Sequence, residues 1–364
     1  MLCRRNPGRN QKDGHRPWII LVLFLVGFGL VILYSTSSYK ASLLYNDTTY
    51  WVKKQALFAA MGICGMLFIA TRDYHIWQKK WWFAWVIYGG VIGLLLLTFA
   101  IGAASHGSQR WISIGPFSLQ PSELAKIGII LFLAAYISSK SREMRQWKKM
   151  VIPFLFAIPI IVIVGIEILA ISFIMIFVAT PLLVPFVVIG LIGVAGAGGL
   201  LLTQGYRMER ITVWLDPAAS EKGHQTIQGL YAIGSGGLFG KGLGQSMQKL
   251  GFLPEANNDM IFSVICEELG LFGALCVLAL FFALIWRFMV IAVNAPDLYG
   301  SMIVVGVIAH IGIQVFINIA VATNTIPNTG IPLPFISYGG SSLVFMLLEM
   351  GLVLSVSRYI NVKK

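Results

Sequence analysis

The sequence predicts an all-α polytopic membrane protein, with about ten spanning helices and a large extracytoplasmic loop between helices 7 and 8. Three observations predict it. The 364 residues are 57% hydrophobic and only 12% charged, with a mean hydropathy of +0.80, where soluble chains run at roughly 25% charged. Uncharged runs recur at the length of about 20 residues that a spanning helix needs. The net charge of +12 is divided unevenly between alternate connecting segments, the pattern of basic loops at a membrane surface. This balance excludes a soluble globular enzyme, a disordered chain and a nucleic-acid-binding domain, and no nucleic-acid partner is expected.

Each element follows in order. Residues 1–17 form a basic arm without a small-residue cleavage site, so the first span is expected to be retained. Trp18 to Tyr39, Gln55 to Thr71 and Trp81 to Gln109 carry no charge and read as spans one to three. Ser122 to Ser139 is the fourth, holding Glu123 and Lys126 near its start. Met150 to Tyr206 runs 57 residues with one charge, Glu167. That length fits three spans, with breaks near Glu167 and near Pro181 to Pro185. Gln204 to Asn258 is a 55-residue connection, and one so long in a compact bundle is usually functional. Within it, Ile227 to Ile233 reads as a short interfacial helix. Met260 to Trp286 is the eighth span. Leu298 to Leu348 divides at a breaker cluster (Pro327, Gly330, Pro332, Pro334, Gly339, Gly340) into the ninth and tenth. Residues 18–360 thus make one membrane domain, with 361–364 as a tail.

Charge sets the orientation. With the N-terminus inside, the inner segments hold 17 Lys and Arg against four (Lys40, Lys53, Lys54 and Arg110) in the short outer loops. Both termini are therefore expected to be cytoplasmic.

Ionisable groups within spans are expensive and need a reason. Glu123 and Lys126 stand three apart on one helical face and can neutralise each other. Glu267 falls about 80° round the helix from Asp259, so the two are expected to line one polar stripe, with Glu268 opposite. Glu349 is expected among polar neighbours or near the inner boundary. The glycine-rich run Gly234 to Gly244 lacks the Ser or Thr that a phosphate loop carries after Gly-Lys. Its amides could still hold a pyrophosphate, aided by Lys241, Lys249 or Arg110; a plain interfacial loop fits equally well. The histidines show no metal-ligand spacing, so no protein metal site is expected, although a divalent cation (Mg or Mn) screening a pyrophosphate remains possible chemistry. The four cysteines show no disulfide framework.

Three motifs go beyond composition. The first runs from Gln109-Arg110-Trp111 through Gln120-Pro121-Ser122-Glu123-Leu124-Ala125-Lys126. The second begins with Arg210-Ile211-Thr212-Val213-Trp214-Leu215-Asp216-Pro217 and continues through the glycine run to Phe252-Leu253-Pro254-Glu255-Ala256-Asn257-Asn258-Asp259. The third is Pro332-Leu333-Pro334-Phe335-Ile336-Ser337-Tyr338-Gly339-Gly340-Ser341-Ser342. In this order the chain closely resembles the SEDS family (shape, elongation, division and sporulation), nearer its FtsW/SpoVE branch than its RodA branch.

The resemblance implies a peptidoglycan glycosyltransferase of the bacterial cytoplasmic membrane, polymerising lipid II at the outer face for division or sporulation. The essential Asp maps onto Asp259 as catalytic base. Glu123 and Lys126 map onto the family's conserved pair. Arg110, Glu255, Lys241, Lys249, Ser341 and Ser342 follow as substrate-binding or supporting residues. The implied partners are a class B penicillin-binding protein transpeptidase, expected to meet spans eight and nine, and other division or sporulation membrane proteins. The chain departs from the family at Asn257-Asn258, where His-Thr is usual, and at Gly165 to Ala170, where the bend loses its Pro and Gly but keeps a carboxylate as Glu167. It departs again at Thr323-Asn324-Thr325. Two other classes fit the spans and intramembrane charges: a lipid-linked sugar flippase or transporter, and a non-catalytic scaffold for a transpeptidase.

Overall fold

The computed structural model describes residues 17–78, 81–101, 103–105, 108–114, 117–180, 186–187, 190, 205–220 and 223–360. Its helices are α1 (Pro17–Tyr45), α2 (Tyr50–Thr71), α3 (Trp81–Ile101), α4 (Pro121–Ser139), α5 (Trp147–Val164) and α6 (Ile166–Ala179). They continue as α7 (Gly205–Leu215), α8 (His224–Ser235), α9 (Ile261–Val293), α10 (Leu298–Ala322) and α11 (Gly340–Ser357). Six of them (α1, α2, α4, α9, α10 and α11) are long and apolar enough to cross a membrane, and shorter apolar helices cover Trp82–Thr98 and Ile166–Ala179. The chain is a multi-pass membrane protein. The break expected near Glu167 falls at Gly165, which joins α5 to α6 at φ 101°. The break at Pro181 to Pro185 and most of the seventh span lie outside the described residues.

Two expectations need correction. The third span does not reach Gln109; its helix stops at Ile101. A three-stranded antiparallel sheet follows, β1 (Ala103–Ser105), β2 (Ser108–Ile114) and β3 (Phe117–Leu119). The missing charge that marked 102–109 as membrane is equally the mark of a short strand, and β2 pairs both neighbours, Ser105 with Ser108 and Ile114 with Phe117, with a register shift in β1 between Ala103 and Ala104. The eighth span is also not one straight helix: α9 is broken at Gly270 (φ 69°, ψ −169°).

Inside a bilayer, lipid tails are as apolar as Leu, so helices associate through close packing. Helix α11 lies against α2 so tightly that a Cβ on Gly351 would stand 2.7 Å from the Met66 carbonyl oxygen. At the end that carries the α2–α3 and α9–α10 connections, polar contacts seal the bundle. His75 bridges Asp73 (2.7 Å) and Asp297 (2.8 Å), and Asp297 also caps α10 by accepting from the Gly300 amide at 2.7 Å. The opposite end gathers β3, α8, the start of α9 and the segment before α11. The candidate site lies there.

Candidate functional site

The third motif builds this site. Segment Leu333–Gly339 folds on itself: the Ser337 hydroxyl accepts from the Leu333 amide at 2.8 Å and donates to the Asn258 carbonyl at 2.6 Å. The Tyr338 amide donates to the Asn257 carbonyl at 2.9 Å. Gln55 of α2 braces the segment from the other side, donating to the Ser337 carbonyl at 3.2 Å and accepting from the Gly339 amide at 3.3 Å. Three residues later, Ser342 donates to Glu123 Oε2 at 3.1 Å, and Ser341 accepts from the Gln120 amide at 3.3 Å. One short stretch of chain therefore fixes the backbone leading to Asp259 at one end and the Glu123 carboxylate at the other.

Glu123 and Lys126 form the pair that their spacing predicts, at 2.7 Å, with both side chains buried. Lys126 also binds Glu167 from α6. The retained carboxylate at the departed bend thus completes a buried triad of two anions around one cation. A neighbouring buried pair, His310 Nδ1 with Glu349 at 2.9 Å, joins α10 to α11. Sequence reasoning placed Glu349 among polar neighbours and missed His310, since the two are 39 residues apart in sequence.

Asp259 is set apart by its surroundings. Its side chain is buried, and it precedes α9 rather than capping it: the N-cap is Met260, which makes no side-chain cap bond. The carboxylate accepts from Gln225 Nε2 of α8 at 3.3 Å to each oxygen, and from the amide of Asn328. Asn318 holds its backbone, donating to the Asp259 carbonyl at 2.8 Å. Burial, reinforced by the negative charge of Glu255, pushes the Asp259 carboxyl up to about 6. Glu255 sits in the same turn at φ 52° and accepts from the Asn258 side chain.

The stripe expected from Asp259 and Glu267 does not form, because Asp259 lies outside the helix. Glu267 and Glu268 instead hold the glycine loop. Glu267 accepts from Lys241 Nζ at 2.7 Å, the Met247 amide at 3.1 Å and the Ser246 hydroxyl. Glu268 accepts from Lys249 Nζ at 2.7 Å and from Ser35 of α1 at 2.6 Å. The loop also pairs with the helix break: the Lys241 and Gly242 amides donate to the Glu267 and Glu268 carbonyls, and the Leu271 and Phe272 amides donate to Gly237 and Leu238. Lys241 and Lys249 are therefore anchors of the loop, and two of the run's amides, those of Lys241 and Gly242, are spent on α9. Arg110 falls in β2, with its side chain outside the described residues.

Among the described buried carboxylates, Glu123 and Glu167 face Lys126, Glu267 faces Lys241, Glu268 faces Lys249 and Glu349 faces His310. Asp259 accepts from neutral amides and has the carboxylate of Glu255 nearby, with no cation paired to it among the described residues. No group of three or more His, Cys, Asp or Glu among the described residues could hold a metal ion. A magnesium ion bound through one or two carboxylates plus substrate phosphates needs no such group, and Asp259 with Glu255 fits that smaller demand. One cation missed in the sequence is Lys40. It lines a cavity of about 220 Å³ whose wall mixes Thr36, Ser37, Lys249, Glu255 and Asn257 with apolar Leu43, Leu253 and Ala256. In the sequence it had counted only as a topology charge, in a segment expected to be outside.

Comparison with known proteins agrees with the motifs. The family model described as "Cell cycle protein" and named for FtsW, RodA and SpoVE matches residues 16–362. Stage V sporulation protein E of Bacillus subtilis (strain 168) is 44% identical, covering 94% of this chain and 96% of its own length. A probable peptidoglycan glycosyltransferase FtsW of Geobacter sp. (strain M18) is 37% identical, covering 93% and 95%. Among solved structures, a chain of a peptidoglycan synthase complex that coordinates polymerization and crosslinking superposes with a TM-score of 0.79 at 27% identity, covering 95% of this chain and 98% of that one. The rod shape determining protein RodA of Thermus thermophilus gives 0.70 at 26% identity, covering 97% and 99%. With motifs, helix order and overall superposition all in agreement, the chain belongs to the FtsW/RodA/SpoVE family of cell cycle proteins.

Proposed function

We propose that this protein is a peptidoglycan glycosyltransferase that polymerises lipid II into glycan strands at the outer face of the bacterial cytoplasmic membrane, in division or sporulation, with both termini in the cytoplasm. The observation that carries the reading is Asp259, the described buried carboxylate without a facing cation. Chain extension needs the 4-hydroxyl of an acceptor N-acetylglucosamine to attack an anomeric carbon that bears pyrophosphate. A neutral hydroxyl is a poor nucleophile, and a carboxylate titrating near 6 is a competent base at neutral pH. The Gln225 and Asn328 amides orient the carboxylate without neutralising it. A divalent cation held by Asp259 or Glu255 together with substrate would screen the departing pyrophosphate.

Asn keeps the shape of Asp259 and cannot accept a proton. Asp259→Asn protein, purified and assayed for polymer from labelled lipid II with and without magnesium or manganese, should fold normally. It should lose at least about a hundredfold in rate, the lower scale for a lost acid–base group. Near-normal polymerisation would remove Asp259 from the chemistry.

The second half of the proposal concerns the partner. The likeness to a chain of a peptidoglycan synthase complex supports crosslinking by a class B penicillin-binding protein, docked on the lipid-facing surfaces of α9 and α10. Phe272, Phe282, Trp286 and Phe316 are exposed there. Co-purification from solubilised membranes should recover a single-span transpeptidase; repeated recovery of unrelated proteins alone would end this half of the reading.

A further inference from the structure

The segment between α10 and the third motif carries one of the two side-chain amides that reach the Asp259 carboxylate, and α7 holds that segment in place. Arg210 Nη1 of α7 donates to the Asn328 carbonyl at 2.8 Å. One turn further along α7, the Trp214 indole donates to the Asn324 carbonyl at 3.0 Å, and Asn324 Nδ2 returns a bond to the Trp214 carbonyl at 3.4 Å. Asn324 lies in the Thr323-Asn324-Thr325 departure from the family, at φ 54°, a left-handed conformation that Asn tolerates better than most side chains. The far end of the segment is tied separately. Asn318 donates to the Ile331 carbonyl at 2.9 Å with the same Nδ2 that bonds the Asp259 carbonyl.

Asn328 is oriented from two sides. Its carbonyl accepts from Arg210, and its side-chain oxygen accepts from the Gly330 amide at 2.9 Å. A backbone amide can only donate, so Oδ1 is the end turned to Gly330 and Nδ2 is left to donate to Asp259. The other amide on the carboxylate depends on the same stretch of chain. Helix α7 ends at Leu215, and Asp216 forms the next turn by accepting from the Ala219 amide at 3.2 Å. The Pro217 carbonyl then packs so closely on Gly223 that no Cβ would fit there. That approach sets the start of α8, whose second residue is Gln225. Residues 210–217, a motif the chemistry leaves unused, therefore govern both donors.

We propose that Arg210 and Trp214 are positioning residues, and that α7 is a strut holding the Asn328 amide against the Asp259 carboxylate, so that the base stays fixed for the acceptor hydroxyl. The proposal rests on the glycosyltransferase reading. Among the described residues, the charged group beside the carboxylate is Glu255, in its own turn. The elements packed against it (α8, α10 and the segment before the third motif) present Gln225, Asn318 and Asn328, all neutral. A hydrogen bond to the ionised form favours that form, here against burial and Glu255. Loss of the Asn328 bond therefore raises the pH at which the base is half ionised above its present value of about 6.

The full-length protein in detergent is read in two ways as pH is varied. One is the polymerisation rate from labelled lipid II; the other is the infrared band of the Asp259 carboxyl, identified by its absence in Asp259→Asn. Asn328→Ala should move the acid limb of the rate and the infrared midpoint up by about one pH unit, the scale of one lost hydrogen bond to a charged group. Arg210→Met and Trp214→Phe should each move both in the same direction, lowering kcat at neutral pH with KM unchanged. Neither should add a further shift in the Asn328→Ala background, because each acts through that amide. A purely structural role would instead lower the rate equally at every pH. An unmoved midpoint in either folded variant, or a further shift on top of Asn328→Ala, overturns the proposal. If Arg210→Met does not fold, Trp214→Phe, which removes one donor and keeps an aromatic ring, decides alone. A wild-type protein that makes no polymer would end the enzymatic reading while the infrared shifts stood, so the two failures are distinguishable.

Discussion

Gly240 is where the glycine loop meets the break in α9. A Cβ there would stand 2.2 Å from the Glu268 carbonyl oxygen, 2.4 Å from its carbon and 2.6 Å from the Gly270 nitrogen, all backbone atoms that cannot rotate aside. To restore ordinary contact, the loop must withdraw by more than about 1 Å. That withdrawal stretches the four backbone bonds between loop and helix, now 2.9–3.0 Å, beyond useful length. At a net 1 kcal/mol each, roughly, about 4 kcal/mol is lost. The φ of 78° at Gly240 adds about 1–2 kcal/mol for any side chain. Gly244 is the control: its φ is 81°, but a Cβ there meets nothing within 4 Å, so only the conformational cost applies. Amide hydrogen exchange at Lys241, Gly242, Leu271 and Phe272, read by mass spectrometry in detergent micelles, tests the difference. Gly240→Ala should lower protection about a thousandfold relative to Gly244→Ala, at 1.4 kcal/mol per decade, and should abolish polymerisation with it. Equal protection in the two variants would refute the docking argument.

The remaining predictions concern charge. Lys126→Met leaves Glu123 and Glu167 buried without their cation, and breaking such a pair costs about 3–5 kcal/mol. Folded yield by fluorescence-detected size exclusion should collapse, and adding Glu123→Gln and Glu167→Gln should restore it. A single Lys126→Met variant that folds like wild type would show that the triad does not balance charge. For topology, a reporter inserted between Lys140 and Lys149 should be cytoplasmic and one near Glu221 external; both on one side would overturn the orientation drawn from the basic residues.

The helices were legible because an uncharged run of membrane length has few alternatives, and the Glu123–Lys126 pair because three residues is one helical turn. The break before Glu167 was legible only as a charge interrupting an apolar run; the structure puts it at Gly165. The rest depended on partners far apart in the chain. Ser35 and Glu268 are 233 residues apart, and nothing local distinguishes a glutamate that will meet a lysine from one that will not. The glycine run was ambiguous for a physical reason: a row of amides suited to a pyrophosphate is equally suited to helix carbonyls and carboxylates, and here α9 supplies both. The strands after α3 were hidden because short apolar strands and the end of an apolar helix share one composition.

Asp259 stands at the point where stability and function pull apart. Its carboxyl titrates at about 6, above the ordinary value of 3.8, so the fold favours the protonated form. The stability from that preference is fully present below pH 3.8 and is lost as pH rises through 6. At neutral pH the ionised group therefore opposes folding, by up to about 3 kcal/mol at 1.36 kcal/mol per pKa unit. The carboxylates facing Lys126, Lys241 and Lys249 each have a cation to offset this cost. A carboxylate kept only for structure would gain by becoming Asn, whose single oxygen keeps one amide contact and which carries no charge. Asp259→Asn should accordingly raise the thermal midpoint while abolishing polymerisation, and wild-type rate should fall tenfold per pH unit below 6 as the base is protonated. A variant that loses both stability and activity would assign Asp259 to the scaffold, and a flat rate profile from pH 7 to 5 would exclude it as the base.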